Sequence, residues 1–317
     1  MHVLVTGGAG FIGSHLVDQL MKKGDKVRVI DNLSSGSLDN IKNWLNNPNF
    51  SFHQVDLCDL DKIIDFFDGV DVVFHFAAYS EVYIGSKRPE EIWKNNVVAT
   101  YNVLEAMRKN QVKFLVFASS STVYGDQVNI PTPEGSKLEP ISIYGASKLA
   151  GEALVSGYAH TFKMRALILR FANIIGSRLR HGVIYDFIRK LKKNPNELEI
   201  LGDGTQRKSY LHVSDAVDAI LHAFNVFTKS GKRIEIFNVG SEDWITVKEI
   251  AEIVSKQMGL NPNFRFTGGV EGGRGWVGDV KLMLLDITKL KRTGWKPKLN
   301  SKESIELTTK ELIAELL

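Results

Sequence analysis

The sequence predicts an α/β protein built on a doubly wound parallel sheet, with a smaller C-terminal lobe. Three observations predict this fold. Short apolar strands alternate with helical patterns from the first residues onward, a glycine-rich turn separates the first strand from the first helix, and an acidic residue ends the second strand. Strands that are apolar throughout are typical of a parallel sheet covered by helices on both faces.

Length and composition set the scale of this fold. A chain of 317 residues with 44% hydrophobic and 24% charged residues can bury a large domain and a smaller lobe. The formal net charge is only +4, and no basic run predicts nucleic-acid binding. The single cysteine, Cys58, excludes an internal disulfide and is typical of a reducing compartment. Because we find no signal segment and no run of about 18 apolar residues, we expect a cytoplasmic protein that does not bind membranes.

The first elements are a strand, a glycine turn, a helix and a second strand. Val3–Val5 leads directly into a turn with glycines at positions 7, 8, 10 and 13, and a helical pattern then runs to Gly24. Glycines let the backbone approach a pyrophosphate, and the helix N-terminus favours its negative charge. The second strand ends at Asp31, which can accept both ribose hydroxyls of an adenosine and would repel a 2′-phosphate. These elements predict a Rossmann-type site that prefers NAD to NADP.

The alternation of strands and helices continues along the chain. Further strands are predicted over Phe50–Val55, Asp71–Ala78, Lys113–Ala118 and Arg165–Phe171, and helices over Glu90–Lys109 and 144–161. After Asn173 polar loops become longer. We therefore predict an NAD-binding domain over residues 1–173 and a substrate lobe over 174–317. Residues from about 213 to 240 are expected to return to the side of the first domain.

One helical stretch carries the candidate chemistry, Tyr144-Gly145-Ala146-Ser147-Lys148. Residues four apart share a helix face, so Tyr144 and Lys148 project together. A nearby ammonium favours the phenolate form of tyrosine, and such a pair can take and return a hydroxyl proton near neutral pH. Tyr83 and Lys87 have the same spacing, but the glycine and proline around them predict a loop.

The chain resembles the extended short-chain dehydrogenase/reductase family, and the sugar-nucleotide epimerases within it, along essentially its whole length. The resemblance depends on seven motifs in the family's order: Thr6-Gly7-Gly8-Ala9-Gly10-Phe11-Ile12-Gly13, Asp31-Asn32-Leu33, His75-Phe76-Ala77-Ala78, Asn95-Asn96-Val97, Ser119-Ser120-Ser121-Thr122-Val123-Tyr124-Gly125, Tyr144-Gly145-Ala146-Ser147-Lys148 and Leu169-Arg170-Phe171-Ala172-Asn173. It also favours Tyr144 and Lys148 over Tyr83 and Lys87, because the family's pair follows the serine-rich turn.

The resemblance implies a bound NAD and three catalytic residues. Lys148 is expected to hold the nicotinamide ribose and to lower the pKa of Tyr144, while Ser120 hydrogen-bonds the reacting sugar oxygen. The other residues expected to contact NAD lie at the glycine turn, after the second strand, beside the adenine and under the cofactor. They are Gly7, Gly10, Phe11, Ile12, Gly13, Asp31, Asn32, Leu33, Ser34, Ser35, Gly36, Asp56, Leu57, Phe76, Ala77, Ala78, Ser80, Asn95 and Ala172, together with Tyr144 and Lys148.

The resemblance also implies a UDP-sugar substrate bound largely by the smaller lobe. Asn173 matches the family's substrate-side asparagine, and Arg207 and Arg274 match its diphosphate-binding arginines, whose planar forks can bond two oxygens at once. Val183 and Leu201 are expected near the uracil, and Ser120 and Tyr144 at the sugar. No spacing of cysteine, histidine and carboxylate resembles a metal site. Family members often pair the helices over 90–109 and 145–161, so we expect a homodimer.

The serine turn limits the reaction. Where the family's 4,6-dehydratases carry Asp-Glu and its decarboxylases carry a glutamate, this chain has Ser121 and Thr122. Hydroxyls cannot replace the acid and base needed at C5 and C6, so the resemblance implies an NAD-dependent epimerase. It would invert C4 of UDP-glucose or UDP-galactose through a transient 4-keto sugar.

Two departures from the family pattern keep alternatives open. Ser80 stands where galactose epimerases often have a lysine, and Met283 falls at the position that often controls sugar size. A UDP-N-acetylhexosamine or UDP-glucuronate 4-epimerase is therefore the main alternative. Another UDP-sugar-modifying member of the family, or an NAD-sensing protein without catalysis, remains open as well.

Overall fold

A computed structural model describes residues 1–82, 85 and 87–316. The strands of the described chain are β1 (His2–Thr6), β2 (Lys26–Asp31), β3 (Phe50–Gln54), β4 (Val72–His75), β5 (Phe114–Ser120), β6 (Arg165–Phe171), β7 (Asn173–Ile175), β8 (Glu197–Ile200), β9 (Arg207–Lys208), β10 (Tyr210–His212), β11 (Ile234–Val239), β12 (Ile245–Thr246), β13 (Asn263–Phe266) and β14 (Leu282–Met283). The α-helices are α1 (Phe11–Lys22), α2 (Leu60–Ile63), α3 (Pro89–Ile92), α4 (Ala99–Lys109), α5 (Ile143–Thr161), α6 (Val183–Lys193), α7 (Val213–Lys229), α8 (Val247–Gln257), α9 (Thr288–Lys291) and α10 (Ser301–Leu316).

Seven strands form one parallel sheet in the order β3-β2-β1-β4-β5-β6-β11. Strand β1 pairs with β2 on one side and with β4 on the other. The strand order reverses at this point, which is where sheets of this kind bind ligands beyond the carboxyl ends of the strands. The predicted Rossmann-type fold is confirmed. Strand β11 pairs with β6, while the predicted domain division at residue 173 stays a prediction.

Apolar packing covers both faces of the sheet, as its continuously apolar strands require. In β1, Val3 and Val5 belong to the core that includes residues of α1 and α7. The residue between them, Leu4, belongs to the core on the opposite face, together with residues of α4 and α5. All three side chains are fully buried. The two helical layers therefore hold the strand ends rigidly, and the site described below lies at those ends.

The smaller lobe has a core of its own, formed by α6, α8, α10 and the adjacent strands. Helix α10 is not among the predicted elements. Its buried face includes Ser304, Thr308 and Thr309 beside Ile305 and Leu312, so polar residues interrupt the apolar pattern that identifies an amphipathic helix. Among the described residues, no helix combines the length and apolar character needed to cross a membrane.

Two predicted elements differ in ways that shape the site. Strand β4 ends at His75, so Phe76–Ala78 continue as an irregular segment instead of a strand. The predicted helix over Glu90–Lys109 is interrupted by a π-helical turn at Trp93–Val98. Such turns are frequent at functional sites, and this one contains Asn95, whose side-chain amide donates to the carbonyl of Glu91.

Candidate active site

A cavity of about 870 Å³ runs along the carboxyl ends of the central strands and continues into the smaller lobe. Residues of the first half line one end, among them Gly7, Asp31 and Tyr144, and residues of the second half line the other, among them Lys208 and Trp276. Its volume lies within the range of about 300–1,000 Å³ typical of sites for small ligands and cofactors.

The glycine turn is packed so closely that side chains larger than a hydrogen atom do not fit at two of its positions. A Cβ atom on Gly13 would come within 2.1 Å of the carbonyl oxygen of Gly7, and one on Gly7 would come within 2.6 Å of the amide nitrogen of Ala77. Helix α1 begins at Phe11, so the positive end of its dipole faces the cavity. Phe11 and Ile12 line the wall. The turn therefore fits the diphosphate of a dinucleotide.

Asp31 fixes the glycine turn as well as facing the cavity. It is 8% exposed, and its two carboxylate oxygens accept hydrogen bonds from the amides of Ala9 at 3.0 Å and Leu33 at 2.8 Å. Burial raises the pKa of Asp31, and these amides oppose the rise. The carboxylate thus ties the end of β2 to the first glycine loop.

Most of the residues predicted to contact NAD line the cavity: Gly7, Gly10, Phe11, Ile12, Gly13, Asp31, Asn32, Ser34, Ser35, Asp56, Leu57, Phe76, Ala77, Ala78, Ser80, Asn95 and Ala172. Leu33 and Gly36 are not part of this wall, and their contact with NAD stays a prediction. Leu33 packs against the apolar core, and Gly36 lies so close to the backbone of Ala9 that a Cβ atom would be 2.9 Å from its carbonyl carbon.

The structure brings the three predicted catalytic residues together on the wall of the cavity. Tyr144 lies in the first turn of α5, whose N-cap is Ser142. The helix packs against the serine turn, because a Cβ atom on Gly145 would come within 2.5 Å of the carbonyl oxygen of Thr122. This close approach lets Tyr144 form a hydrogen bond with Ser120.

Burial has a large effect on the pKa values of Tyr144 and Lys148. Burial raises the pKa of Tyr144 to about 12, and the hydrogen bond with Ser120 opposes this rise. Lys148 is 5% exposed, and its Nζ atom donates to the carbonyl oxygen of Ala118 at 2.9 Å while lying 5.8 Å from the centroid of the Tyr144 ring. Burial also lowers the pKa of Lys148 to about 8. Burial is therefore the largest cause of the pKa shift in both residues.

Arg207, predicted to bind a diphosphate, and its neighbour Lys208 point to different sides of their strand. Lys208 lines the cavity, whereas Arg207 is exposed, is not part of the wall and lies over the ring of Trp244 at 5.9 Å. Successive side chains of a strand point to opposite sides, and both residues lie on β9, so only one can face the cavity. The Nζ atom of Lys208 forms an ion pair with Asp279 and lies 5.5 Å from the Trp276 ring.

Arg274, the second arginine predicted to bind the diphosphate, lies beside the cavity and contacts an acidic residue. Its guanidinium forms a bidentate ion pair with Asp126, at 3.0 and 2.7 Å, and donates to the main-chain oxygen of Asp279 at 2.6 Å. Arg274 belongs to a glycine-rich loop over residues 268–278. It does not line the cavity, but Trp276 from the same loop does. Arg274 therefore fastens this loop to the segment that follows the serine turn.

The other residues predicted to bind substrate, Asn173, Val183 and Leu201, line the cavity. Lys208 and Trp276 were missed. The strict alternation of a strand could have pointed to Lys208, but a two-residue strand gives no reliable register. Tyr83 of the second tyrosine–lysine match lies outside the described residues. In the part of the chain that the structure describes, no three His, Cys, Asp or Glu side chains are grouped closely enough to hold a metal ion.

A family model described as the NAD dependent epimerase/dehydratase family matches residues 3–240. The crystal structure of a UDP-galactose 4-epimerase is 49% identical, covers 100% of both chains and has a TM-score of 0.90. A UDP-glucose 4-epimerase of Thermus thermophilus, solved as a complex with NAD, is 32% identical over 100% of both chains, with a TM-score of 0.85. A UDP-N-acetylglucosamine 4-epimerase of Methanobrevibacter ruminantium, in complex with UDP-N-acetylmuramic acid, is 30% identical over 99% of both chains, with a TM-score of 0.87.

Proposed function

Because the chain belongs to the NAD dependent epimerase/dehydratase family, as its motifs predicted, and takes NAD as cofactor, we propose that it interconverts UDP-glucose and UDP-galactose by inverting C4. One observation carries the proposal. Tyr144 and Ser120 meet on the cavity wall beside a turn, Ser121-Thr122, that offers only hydroxyl groups. The hydroxyl of Thr122 donates to Ser120 at 2.9 Å. These groups suit proton transfer at one sugar hydroxyl and supply no acid or base for a second position.

In the proposed reaction, Tyr144 takes the proton of the sugar 4-hydroxyl and later returns it to the same oxygen. NAD, when bound, supplies reversible acceptance of the C4 hydrogen as hydride. Ser120 orients the sugar oxygen toward the phenol, and its hydrogen bond opposes the rise that burial causes in the pKa of Tyr144. The ammonium of Lys148, 5.8 Å from the ring centroid, acts in the same direction as Ser120 when the phenol gives up its proton. No net oxidation follows, because every proton and hydride taken from the sugar goes back to it.

Inversion requires the keto sugar to present its other face while it stays bound. We propose that Lys208 holds the diphosphate at the far end of the cavity, with Trp276 beside it. A tether at that end leaves the hexose free to turn and keeps the intermediate from escaping. Lys208 thus takes the role predicted for Arg207.

A second candidate substrate is a UDP-N-acetylhexosamine or a UDP-glucuronate. Met283 lines the cavity at the position that often controls sugar size and is 9% exposed. Its unbranched thioether is flexible, so it can move aside for a larger substituent. We therefore propose UDP-glucose and UDP-galactose as the substrates, with a UDP-N-acetylhexosamine or a UDP-glucuronate as the second candidate.

The proposal is tested by incubating the purified protein separately with UDP-galactose, UDP-N-acetylgalactosamine and UDP-glucuronate, without added nicotinamide, and resolving the products. UDP-glucose is expected from the first incubation. Tyr144→Phe should abolish turnover and keep bound NAD. Exclusive conversion of either of the other two sugars would replace the proposed substrate, and loss of water or carbon dioxide would overturn the reaction type.

We also propose that two copies of the chain pair through α5 and the preceding helical segment. An apolar groove on this face is lined by Trp93, Val97, Ala150, Ala153, Leu154, Gly157, Tyr158, Thr161 and Phe162. Trp93 is 59% exposed and Phe162 45%, and large exposed aromatic groups are typical of interfaces. Light scattering should give a dimer for the parent protein and for Phe266→Glu, which changes an exposed aromatic residue elsewhere, but a monomer for Trp93→Glu. A monomeric parent protein would contradict the proposal.

A further inference from the structure

Helix α5 carries a buried acidic residue in line with its two predicted catalytic residues. Tyr144, Lys148 and Glu152 are spaced four apart, so they form one row along a single face of the helix. Lys148 is 5% exposed and Glu152 only 6%. A carboxylate is rarely buried unless it is paired, and the role described so far for this face does not use Glu152.

The row contacts successive residues at the end of β5. Lys148 donates to the carbonyl oxygen of Ala118, and the hydroxyl of Ser119 donates to Oε1 of Glu152 at 2.5 Å. The next residue is Ser120, which hydrogen-bonds the phenol of the same row. Glu152 therefore holds Ser119 in place. On one side of Ser119 lies Ala118, which contacts Lys148, and on the other lies Ser120, which contacts Tyr144.

The charge of Glu152 is compensated by Arg170 on β6. The two side chains form a bidentate pair, at 2.9 and 2.7 Å. Arg170 is 2% exposed and also donates to the hydroxyl of Tyr124 at 3.0 Å and to the main-chain oxygen of Glu134 at 2.9 Å. Ser119 on one side and Arg170 on the other hold the carboxylate of Glu152 in one position. A residue can position its neighbours only when it is itself held in this way.

The charges around Lys148 come from three elements. On α5 itself they are Tyr144 and Glu152, on β4 the facing group is His75, and on β6 Arg170 lies behind Glu152. Burial lowers the pKa of His75 to about 3, with Lys148 adding to the effect, so this histidine is neutral near pH 7. Burial lowers the pKa of Lys148 as well, and Glu152 opposes that shift.

We propose that Glu152 is a positioning residue that places an opposite charge one helical turn from Lys148 and, through Ser119, holds the Ser119-Ser120 turn against α5. The inference rests on the proposed roles of Tyr144 and Lys148. It assigns to the buried pair of Glu152 and Arg170 a part in the reaction, in addition to its contribution to the fold.

Glu152→Gln tests the electrostatic part, because it keeps the shape of the side chain and removes its charge. Loss of an opposite charge one helical turn away should move the titration of Lys148 to lower pH by about one unit or more. We expect this shift in the ¹³C signal of the protein labelled with [ε-¹³C]lysine, assigned with Lys148→Met. The alkaline fall of kcat/KM should shift with it. Ser119→Ala, which keeps the charge, should lower kcat without moving the alkaline fall.

A second variant covers the case in which Glu152→Gln fails to fold because Arg170 is left as a buried, unpaired charge. In Glu152→Gln/Arg170→Gln no charge is left alone, and a downward shift smaller than in Glu152→Gln is expected, because losing the Arg170 charge offsets part of the effect of losing the nearer carboxylate. A Lys148 titration unchanged from the parent protein in a folded variant would overturn the proposal. If the parent protein shows no epimerase activity, the proposed function fails, while the lysine titration still decides the role of Glu152.

Discussion

Main-chain geometry forms the cofactor end of the cavity, whereas single side chains on short strands and loops form its substrate end. At the first end, Gly7 and Gly13 leave no room for a Cβ atom and helix α1 begins at the wall. At the second end, Lys208 and Trp276 come from a two-residue strand and a glycine-rich loop. Glycines with a fixed spacing can be recognised in a sequence, but which neighbour on a short strand faces inward cannot. Neither Arg207 nor Arg274, the two predicted arginines, lines the cavity.

The largest expected effect is the loss of bound NAD when a side chain is added to the glycine turn. Gly13→Ala would place a methyl group 2.1 Å from the carbonyl oxygen of Gly7, which costs about 1–3 kcal/mol or more of folding free energy and displaces the turn from the pyrophosphate. The purified variant should lack bound NAD, measured by chromatography of the nucleotide released on denaturation. Gly135→Ala, where a Cβ atom meets nothing within 4 Å, is the matched control. Normal NAD content in Gly13→Ala would contradict the view that main-chain geometry forms the NAD site.

The next effect separates two neighbours at the substrate end. Lys208→Met should weaken UDP binding by roughly 10- to 100-fold, because a hydrogen bond to a charged group contributes about 1.5–3 kcal/mol. Arg207→Met, whose side chain lies over Trp244, should bind UDP nearly as the parent protein does. Isothermal titration calorimetry measures both.

Lys208→Arg controls for the loss of the ion pair with Asp279, which is 3% exposed. It keeps the positive charge and should recover most of the affinity. An equal loss of affinity in Arg207→Met would instead restore the original prediction for that residue.

A smaller effect is expected from releasing the glycine-rich loop. Arg274→Lys keeps the charge but cannot reproduce the bidentate pair with Asp126. The KM for the UDP-sugar should rise a few-fold, with NAD content unchanged, and the free energy of unfolding should fall by less than about 1 kcal/mol, since Asp126 is half-exposed. A loss of affinity as large as that of Lys208→Met would mean that Arg274 touches the substrate after all.

The smallest effect is a pH dependence confined to the substrate end. Burial would raise the pKa of Asp203, but hydrogen bonds with Lys281 and Thr205 lower it to about 2. Since the folded-state pKa lies below the ordinary value of 3.8, the stabilisation is present above about pH 4 and is lost as the pH falls toward 2. Asp203→Asn should be slightly less stable at pH 7, by under about 1 kcal/mol, in urea unfolding. The difference should vanish near pH 2, and a difference that persists there would contradict this assignment.

The central sheet could be predicted because its strands are apolar on both faces. This pattern can be read directly from successive residues such as Val3, Leu4 and Val5. The sequence also placed Ser120, Tyr144 and Lys148 correctly on one wall, because helical spacing and motif order decide that. The position of the Lys148 ammonium, bonded to Ala118 instead of the phenol, depends on tertiary packing and could not be predicted. The direction of the Leu33 side chain, which packs against the apolar core, depends on tertiary packing in the same way.

Strand β11 has a consequence for how the protein is made. Its pairing with β6 means that a fragment ending near residue 173 would expose the full edge of an apolar strand, and such edges promote aggregation. During synthesis, the sheet cannot be completed until residue 239 has left the ribosome. The edge of β6 therefore stays unpaired while residues 172–239 are being synthesised, and the nascent chain is most exposed to aggregation in that interval.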